Sequence, residues 1–248
     1  MEFIYILLAF EGVIKLEKKV AIVTGASSGI GKAVCTTLLN NSFCVLANGR
    51  TIHSVFEKSD CLGLNDGDLL LSETPQLLLN EALEKWGRCD VIFVNAGIIE
   101  SNNIENINVD KMCEMIRLKV EMTFRLIYTA LKYFKKVGDG HIIITSSVMG
   151  TKTRENSGAY SACNYALEAL SESLRMELSD TNIKITCIEP GLVETGLHRD
   201  WEVKPKELLD ISCALSPQDI ADVVIEILTK PDHIRIPKYM ILPKGHKI

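Results

Sequence analysis

The stretch VAIVTGASSGIGKAV, residues 20–34, decides the fold of this chain. An apolar, β-branched run leads into a glycine-rich turn and then into a stripe of helical period that comprises Ile30, Ala33, Val34, Thr37 and Leu38. Glycine has no Cβ, so a turn built on Gly25, Gly29 and Gly31 can be tight and can let a diphosphate approach the backbone. The helix that follows points free N–H groups and the positive end of its dipole at that position. The stretch therefore predicts a strand, a phosphate-binding turn and a helix. Its spacing differs from GxGxxG, and a purely structural turn is the alternative.

Outward from this turn, short apolar runs alternate with longer helical patterns. Strands are predicted at 20–24, 43–47, 61–64, 91–94, 141–145, 183–188 and 239–242, and helices at 29–40, 75–86, 109–136, 158–178 and 217–229. The strand residues are apolar on both faces, which is typical of parallel strands covered by helices. We expect an α/β fold with a Rossmann-like, doubly wound parallel sheet of about seven strands. No linker divides the chain, so residues 1–16 are taken as an N-terminal extension and 17–248 as a single domain.

Composition narrows the class of protein. The chain has 248 residues, 47% of them hydrophobic and 24% charged, which suits a globular domain with a large core. A net charge of −5 argues against nucleic acid as a partner. The eight cysteines are scattered, form no CxxC pair and do not join the histidines at ligand spacing. We therefore predict no metal site and buried, reduced thiols in a cytoplasmic protein.

The apolar run at residues 3–10 is too short to span a bilayer and lacks the flanking features of a signal peptide. The sequence thus predicts no association with a membrane. We interpret the run as an N-terminal strand or interface arm, and an over-called start codon is the alternative.

The second predicted strand runs into Ala-Asn-Gly-Arg, residues 47–50. In dinucleotide-binding folds, an acidic residue about 20 positions past the turn binds the ribose 2′-OH of NAD, whereas an arginine accommodates the 2′-phosphate of NADP. No acidic residue occurs here, so Arg50 favours NADP(H), with NAD(H) possible as well. A solvated surface arginine is the alternative.

Five motifs, in this order and at these intervals, resemble the short-chain dehydrogenase/reductase family over essentially the whole chain. They are TGASSGIG at 24–31, VNAG at 94–97, ITSS at 144–147, YSACN at 160–164 and PGLVET at 190–195. The resemblance implies a cofactor contact for the turn residues Gly25, Ser27, Ser28, Gly29, Ile30 and Gly31. It also implies adenosine-side contacts for Asn95, Ala96, Gly97 and Asp68, and nicotinamide-side contacts for Pro190, Gly191, Val193 and Thr195. The carry-over to Asp68 is the least direct, because the stretch from 51 to 67 is shorter than usual.

Ser147 and Tyr160 are the predicted catalytic pair. Ser147 follows a buried strand, and parallel sheets bind their ligands at the carboxyl ends of the strands. A tyrosine can donate a proton to a developing alkoxide while a serine hydroxyl holds the substrate oxygen. Without the other motifs, the alternative is that Ser147 is an ordinary hydroxyl at the end of a strand and Tyr160 is a packed aromatic ring.

The family pattern YxxxK is broken here, because the fifth position is Asn164. Four residues after Tyr160 on a helix is the same face, so a lysine there would lie beneath the phenol and favour its ionised form. An unassisted phenol, with a pKa of about 10, is ionised only about one part in a thousand at pH 7. Asn164 can bond a cofactor ribose hydroxyl but carries no charge.

Lys119 is the second departure, at a position where the family places an asparagine. It interrupts an apolar helical stripe that comprises Met112, Met115, Ile116, Val120, Thr123 and Ile127. We hypothesise that the two residue types have exchanged roles, so that Lys119 supplies the charge that Asn164 lacks. Snorkelling of Lys119 to the rim is the alternative.

The sequence thus predicts an NADP(H)-dependent oxidoreductase that interconverts a small carbonyl compound and a secondary alcohol. Segment 196–215 is expected to cover the substrate, or else to form an amphipathic helix on the core. The resemblance also implies a homodimer or homotetramer. A non-catalytic NADP(H)-binding regulator or scaffold of the same fold is the rival interpretation.

Overall fold

The computed structural model describes residues 18–199, 201 and 203–248. The predicted N-terminal extension, residues 1–16, and the strand or arm expected within it lie outside this range. The described part contains a parallel sheet with the order β3-β2-β1-β4-β5-β6-β7. Its strands are β1 Val20–Thr24, β2 Cys44–Asn48, β3 Leu62–Asn65, β4 Val91–Val94, β5 Asp139–Thr145, β6 Asn182–Pro190 and β7 Lys238–Ile241. This seven-stranded, doubly wound sheet confirms the predicted fold class.

Helices cover both faces of the sheet. They are α1 Gly29–Asn40, α2 Thr74–Trp86, α3 Val109–Ile116, α4 Thr123–Val137, α5 Gly158–Glu177, α6 Pro205–Leu208 and α7 Pro217–Leu228. Side chains of β1 alternate between two cores: Ile22 packs in the cluster that includes α2 and α4, whereas Val23 packs in the cluster that includes α1 and α7. Both clusters are buried, which explains why the strand sequences are apolar throughout.

The long helix expected at 109–136 is not one regular α-helix. Residues Arg117–Met122 form a π-helical turn between α3 and α4. A π turn inserts an extra residue and rotates the face that follows it. Met115 is buried as expected, but Ile116 is 39% exposed, so its place in the apolar stripe was predicted wrongly. Lys119, for which both a role in the site and an exit to the rim were considered, is buried.

The cysteines are free in the described part of the chain, as predicted, but not uniformly buried. Cys113 and Cys213 are exposed and Cys61 is partly exposed, which corrects the prediction of buried thiols. No group of three or more possible metal ligands occurs in the described ranges. Among the helices of those ranges, none combines the length and the apolarity needed to cross a bilayer.

The strand order reverses between β1 and β4, which pair with each other. From β1 the chain continues to β2 on one side, and from β4 it continues to β5 on the other side. Such a switch point opens a crevice at the carboxyl ends of the strands. Thr24 ends β1 and Val94 ends β4, so the glycine-rich turn and the VNAG loop meet at this crevice.

Candidate active site

The glycine-rich turn has no room for side chains. Gly25 and Gly29 adopt positive φ angles of 67° and 52°, which favour glycine. A Cβ on Gly31 would lie 2.2 Å from the Gly25 carbonyl oxygen, and a Cβ on Gly25 would lie 2.9 Å from Cα of Ala96. The turn therefore requires glycine for its own geometry, and its backbone packs directly on the VNAG loop.

The amino end of α1 is left free for an anion. Ser28 is the N-cap residue in an extended conformation, and its side chain makes no capping hydrogen bond. Ser27 packs beside Gly49, where a Cβ would lie 2.5 Å from Ser27 Oγ. A bare backbone cradle at an uncapped helix start fits the diphosphate of a dinucleotide.

Asn95 ties three strands together at the crevice. Its Nδ2 donates to the Thr24 carbonyl at 3.2 Å, and its Oδ1 accepts from Thr145 Oγ1 at 3.2 Å. Thr24 Oγ1 in turn accepts from the backbone N–H of Asn95 at 3.0 Å and of Ala96 at 3.2 Å. Thr24 and Thr145 were not among the predicted site residues. Their place at the ends of β1 and β5 was the signal that could have identified them.

Lys119 is buried, with 8% of its surface exposed, and it lies between the VNAG loop and Tyr160. Its Nζ is 3.6 Å from the position that a Cβ on Gly97 would occupy. The same Nζ lies 5.4 Å from the centroid of the Tyr160 ring, which is a cation–π distance. No carboxylate of the described chain forms an ion pair with it. The ammonium thus faces the site and not the protein rim.

Ser147 and Tyr160 flank the start of α5. Ser147 follows β5, is 7% exposed, and its Oγ accepts from the Met149 N–H at 3.1 Å. Tyr160 lies in the first turn of α5, is partly exposed and has Lys119 over its ring. A serine hydroxyl and a phenol thus stand at the ends of successive elements on the crevice side of the sheet.

The side chain of Asn164 bonds to its own helix. It is fully buried, and its Nδ2 donates to the Tyr160 carbonyl at 2.8 Å along the same helix. Its Oδ1 is buried without a hydrogen-bond partner. The predicted contact with a ribose hydroxyl therefore needs another rotamer of this side chain.

The PGLVET segment closes over the turn from the other side. A Cβ on Gly29 would lie 3.1 Å from Thr195 Cγ2, so the two motifs are in contact. Pro190 ends β6, and the Gly191 N–H donates to the Ile241 carbonyl at 2.8 Å. Val193 is buried and bridges to Leu215. A Cβ on Gly191 would meet Nδ1 of His246, a C-terminal residue that the sequence did not single out.

Arg50 and Asp68 lie on the side of the predicted adenosine. Arg50 is exposed just beyond β2, and its guanidinium makes no hydrogen bond or ion pair with the described residues. The Asp68 carboxylate stabilises its own loop, because it accepts a hydrogen bond from the Leu70 N–H at 2.9 Å. Asn48 links β2 to this region through a bond from Nδ2 to the Gly67 carbonyl at 2.9 Å.

The segment expected to cover the substrate is mostly irregular. It contains a short 3₁₀ turn at Gly196–His198 and the four-residue helix α6. Ile211 is buried, whereas Leu208 is 58% exposed, so no continuous amphipathic helix forms in its described residues. His198 and Trp201 stack edge to face at 4.7 Å.

A buried acidic pair stands behind Pro190. Lys238 Nζ lies 3.0 Å from Glu168 Oε2 and 3.7 Å from Glu189 Oε1. Burial, and then repulsion by Glu168, raises the pKa of Glu189 to about 7. Glu189 is thus held partly protonated near neutral pH, next to the strand end that carries the PGLVET motif. A cavity of about 120 Å³ also exists, but His141 and Lys184 in its lining place it at the amino ends of β5 and β6, away from this site.

Comparison with known proteins identifies the family of the chain. A model of the short chain dehydrogenase family matches residues 19–206. An uncharacterized oxidoreductase of Staphylococcus epidermidis is 30% identical over 233 residues, covering 92% of this chain and 99% of that protein. Serine dehydrogenase complexed with NADP+ has a TM-score of 0.83 at 22% identity, covering 92% of this chain and 96% of that one. An alcohol dehydrogenase of the archaeon Thermococcus sibiricus complexed with 5-hydroxy-NADP has a TM-score of 0.78 at 26% identity, with coverages of 91% and 96%.

The family match spans more than half of the chain, and the staphylococcal relative aligns with 92% of it. The chain is an oxidoreductase of the short-chain dehydrogenase family.

Proposed function

We propose that this protein uses NADP(H) to interconvert a small carbonyl compound and a secondary alcohol. The observation that carries the proposal is the position of Lys119, whose Nζ lies 5.4 Å from the Tyr160 ring centroid. An ammonium at this distance is attracted to the face of an aromatic ring and can hold the phenol in one orientation.

Each group of residues in the site has a separate role. The bare turn at Gly25, Gly29 and Gly31 and the open start of α1 would hold the diphosphate. When bound there, the nicotinamide supplies or accepts the hydride. Tyr160 donates a proton to the substrate oxygen during reduction and accepts it back during oxidation, while Ser147 holds that oxygen. Lys119 lies over the Tyr160 ring, and its methylenes pack against Gly97.

Reduction depends less on the cation than oxidation does, because a neutral phenol is already a proton donor. We therefore expect carbonyl reduction to be faster than alcohol oxidation near neutral pH. A cytoplasmic location, with thiols kept reduced, belongs to the same proposal.

The test is an assay of NADPH oxidation with a panel of aldehydes and ketones. Tyr160→Phe should abolish turnover and leave NADPH binding intact. Lys119→Met should lower kcat about 10-fold or more, because it removes the cation from the face of the Tyr160 ring. Lys58→Met is the control, because Lys58 is an exposed lysine outside the site and should leave kcat unchanged. Equal effects of the two lysine changes would contradict the role given to Lys119.

A second function is favoured by one observation, the burial of Asn164 at the usual lysine position. The protein would then bind NADP(H) as a regulator or scaffold without catalysis. Tight NADPH binding with no turnover on any carbonyl, unchanged by Asn164→Lys, would support this alternative against the enzyme.

The preference for NADP(H) rests on Arg50, which is exposed and free of described partners at the end of β2. A guanidinium pairs well with a phosphate dianion. Arg50→Gln should weaken NADPH binding about 10-fold and leave NADH binding unchanged, as measured by calorimetry. An equal loss for both coenzymes would show that Arg50 does not read the 2′-phosphate.

A further inference from the structure

Cys44 and Cys61 are neighbours across two parallel strands. Val45 pairs with Leu62, and the Val45 N–H donates to the Cys61 carbonyl at 2.8 Å, so the two cysteines lie side by side at the preceding position. Both belong to the core on the α2 face of the sheet, so their side chains point the same way. Adjacent strands are about 4.8 Å apart, which is within the Cα separation that a disulfide needs.

The two thiols differ in exposure and in surroundings. Cys44 is buried, with 6% of its surface exposed, whereas Cys61 is partly exposed. Lys18 Nζ lies 3.3 Å from Cys61 Sγ. Lys85 is also close, since its Nζ donates to the Ser59 carbonyl at 3.0 Å. Asp60 is the acidic group next to Cys61 and opposes these cations.

These contacts favour a thiolate at one position only. A hydrogen bond from the Cys44 thiol, and then one from Lys18, lowers the pKa of Cys61. Burial raises the pKa of Cys44 to about 11. Of the two thiols, Cys61 therefore ionises more readily, and Cys44 beside it keeps its proton.

We propose that Cys61 is a site of oxidation by hydroperoxides and that Cys44 is its resolving cysteine. The Cys61 thiolate attacks one oxygen of hydrogen peroxide, the O–O bond breaks, and hydroxide leaves, which produces a sulfenic acid on Cys61. Cys44 sulfur then attacks Cys61 sulfur, the S–O bond breaks, and water leaves with the thiol proton. The hydroxide takes up the proton that Cys61 released on ionisation. The two thiols thus lose two electrons and two protons in total, and one peroxide becomes two waters.

The pair lies at the amino ends of β2 and β3, opposite to the strand ends that carry Arg50 and the Asn65 turn. Its oxidation therefore does not require or block the proposed catalytic site. The inference is independent of the substrate and of the role of Lys119.

The first test is the order of reaction of the native thiols. Limiting iodoacetamide at pH 7, followed by peptide mass spectrometry, should label Cys61 before Cys113 and Cys213, although those two are more exposed. Lys18→Met should slow the labelling of Cys61 about 3-fold or more, and Lys32→Met, an exposed lysine on α1, should not. Labelling of Cys113 or Cys213 ahead of Cys61 would overturn the proposal.

The second test identifies the bond. Hydrogen peroxide followed by trypsin should link the peptide 33–50, which carries Cys44, to the peptide 59–85, which carries Cys61. The first peptide also contains Cys35, so fragmentation must place the link at Cys44. In Cys44→Ser the sulfenic acid on Cys61 should persist and react with dimedone. Absence of the 44–61 link in the native protein, or a link at Cys35, would refute the assignment.

Discussion

Gly31 has no space for a side chain, because a Cβ would lie 2.2 Å from the Gly25 carbonyl oxygen. Gly31→Ala should destabilise the fold by about 1–3 kcal/mol through this backbone clash and should weaken dinucleotide binding. Gly158→Ala is the control, since a Cβ at this exposed first residue of α5 meets nothing within 4 Å. It should change stability by less than about 0.5 kcal/mol. Urea denaturation of both variants checks the difference, and equal stabilities would contradict the clash.

His141 is a buried base whose proton affinity differs between folded and unfolded chains. Burial, and then the nearby cations Lys184 and Arg235, lowers its pKa to about 3, and its Nε2 bonds Thr186 Oγ1 at 3.0 Å. The unfolded chain, with a histidine pKa of about 6.5, takes up this proton first, so lowering the pH favours unfolding. The contribution of His141 is complete above pH 6.5 and is lost progressively as the pH falls towards about 3.

The variant His141→Gln isolates this effect from other titrating groups. Between pH 7.5 and 5.5 the native protein should lose about 1.4 kcal/mol more unfolding free energy than the variant does. Urea denaturation at the two pH values measures this difference. A parallel pH dependence of the two proteins would show that His141 is not the responsible group.

Lys238 connects strand β7 to α5 and β6 through ion pairs. This side chain is 43% exposed, and it faces two carboxylates on α5 and β6 that are only 6% and 2% exposed. Removing the cation leaves two buried acids without a partner, and partial exposure of the lysine moderates the loss. Lys238→Met should therefore cost about 2 kcal/mol of unfolding free energy, measured in urea near pH 8, where Glu189 is ionised.

Lys184→Met is the matched control for Lys238→Met. Lys184 also lies on a strand and also forms an ion pair, at 2.8 Å, but its partner Asp232 is 95% exposed. Surface pairs contribute about 1 kcal/mol or less, so this variant should be close to native stability. A larger loss for Lys184→Met than for Lys238→Met would refute the importance given to the buried acids.

The π turn between α3 and α4 is the element that the sequence did not predict. Its hydrogen bonds run over Arg117–Met122, and Lys119 lies at its centre. Such turns often occur at functional sites, since the extra residue redirects a side chain. Here the turn brings Lys119 to Gly97 and Tyr160. A helical periodicity of 3.6 residues cannot reveal this, because the apolar pattern on either side of the turn remains continuous.

Large apolar and aromatic side chains are exposed on α4 and α5. Tyr128 and Val137 on α4 are 46% and 53% exposed, and Tyr165 and Met176 on α5 are 42% and 58% exposed. We propose that these helices pair with a second copy in a homodimer or homotetramer. Light scattering should give twice or four times the chain mass of 27.5 kDa. Tyr128→Asp with Tyr165→Asp should shift it to the monomer, because charges in an apolar interface lack partners. A monomeric native protein would contradict the proposal.

The layout of the fold follows from short stretches of the sequence. Glycines at 25, 29 and 31 permit a backbone that other residues cannot adopt, and doubly apolar strands must be covered on both faces. These local rules were sufficient for the sheet, for the crevice and for the order of the motifs around it. The same rules predicted Ser147 at the carboxyl edge of the sheet, whereas Asn95 and Tyr160 were predicted through the family resemblance.

Only the tertiary structure decided which side chains meet. Asn164 turned out to be buried against its own helix, and Lys119 lies against Tyr160, because a π turn and the packing of α5 set their directions. The pairing of Cys44 with Cys61, and of Lys238 with Glu168 and Glu189, joins residues far apart in the chain. Such contacts depend on strand register and helix rotation, which follow from the packing of the entire core and from no single stretch of sequence.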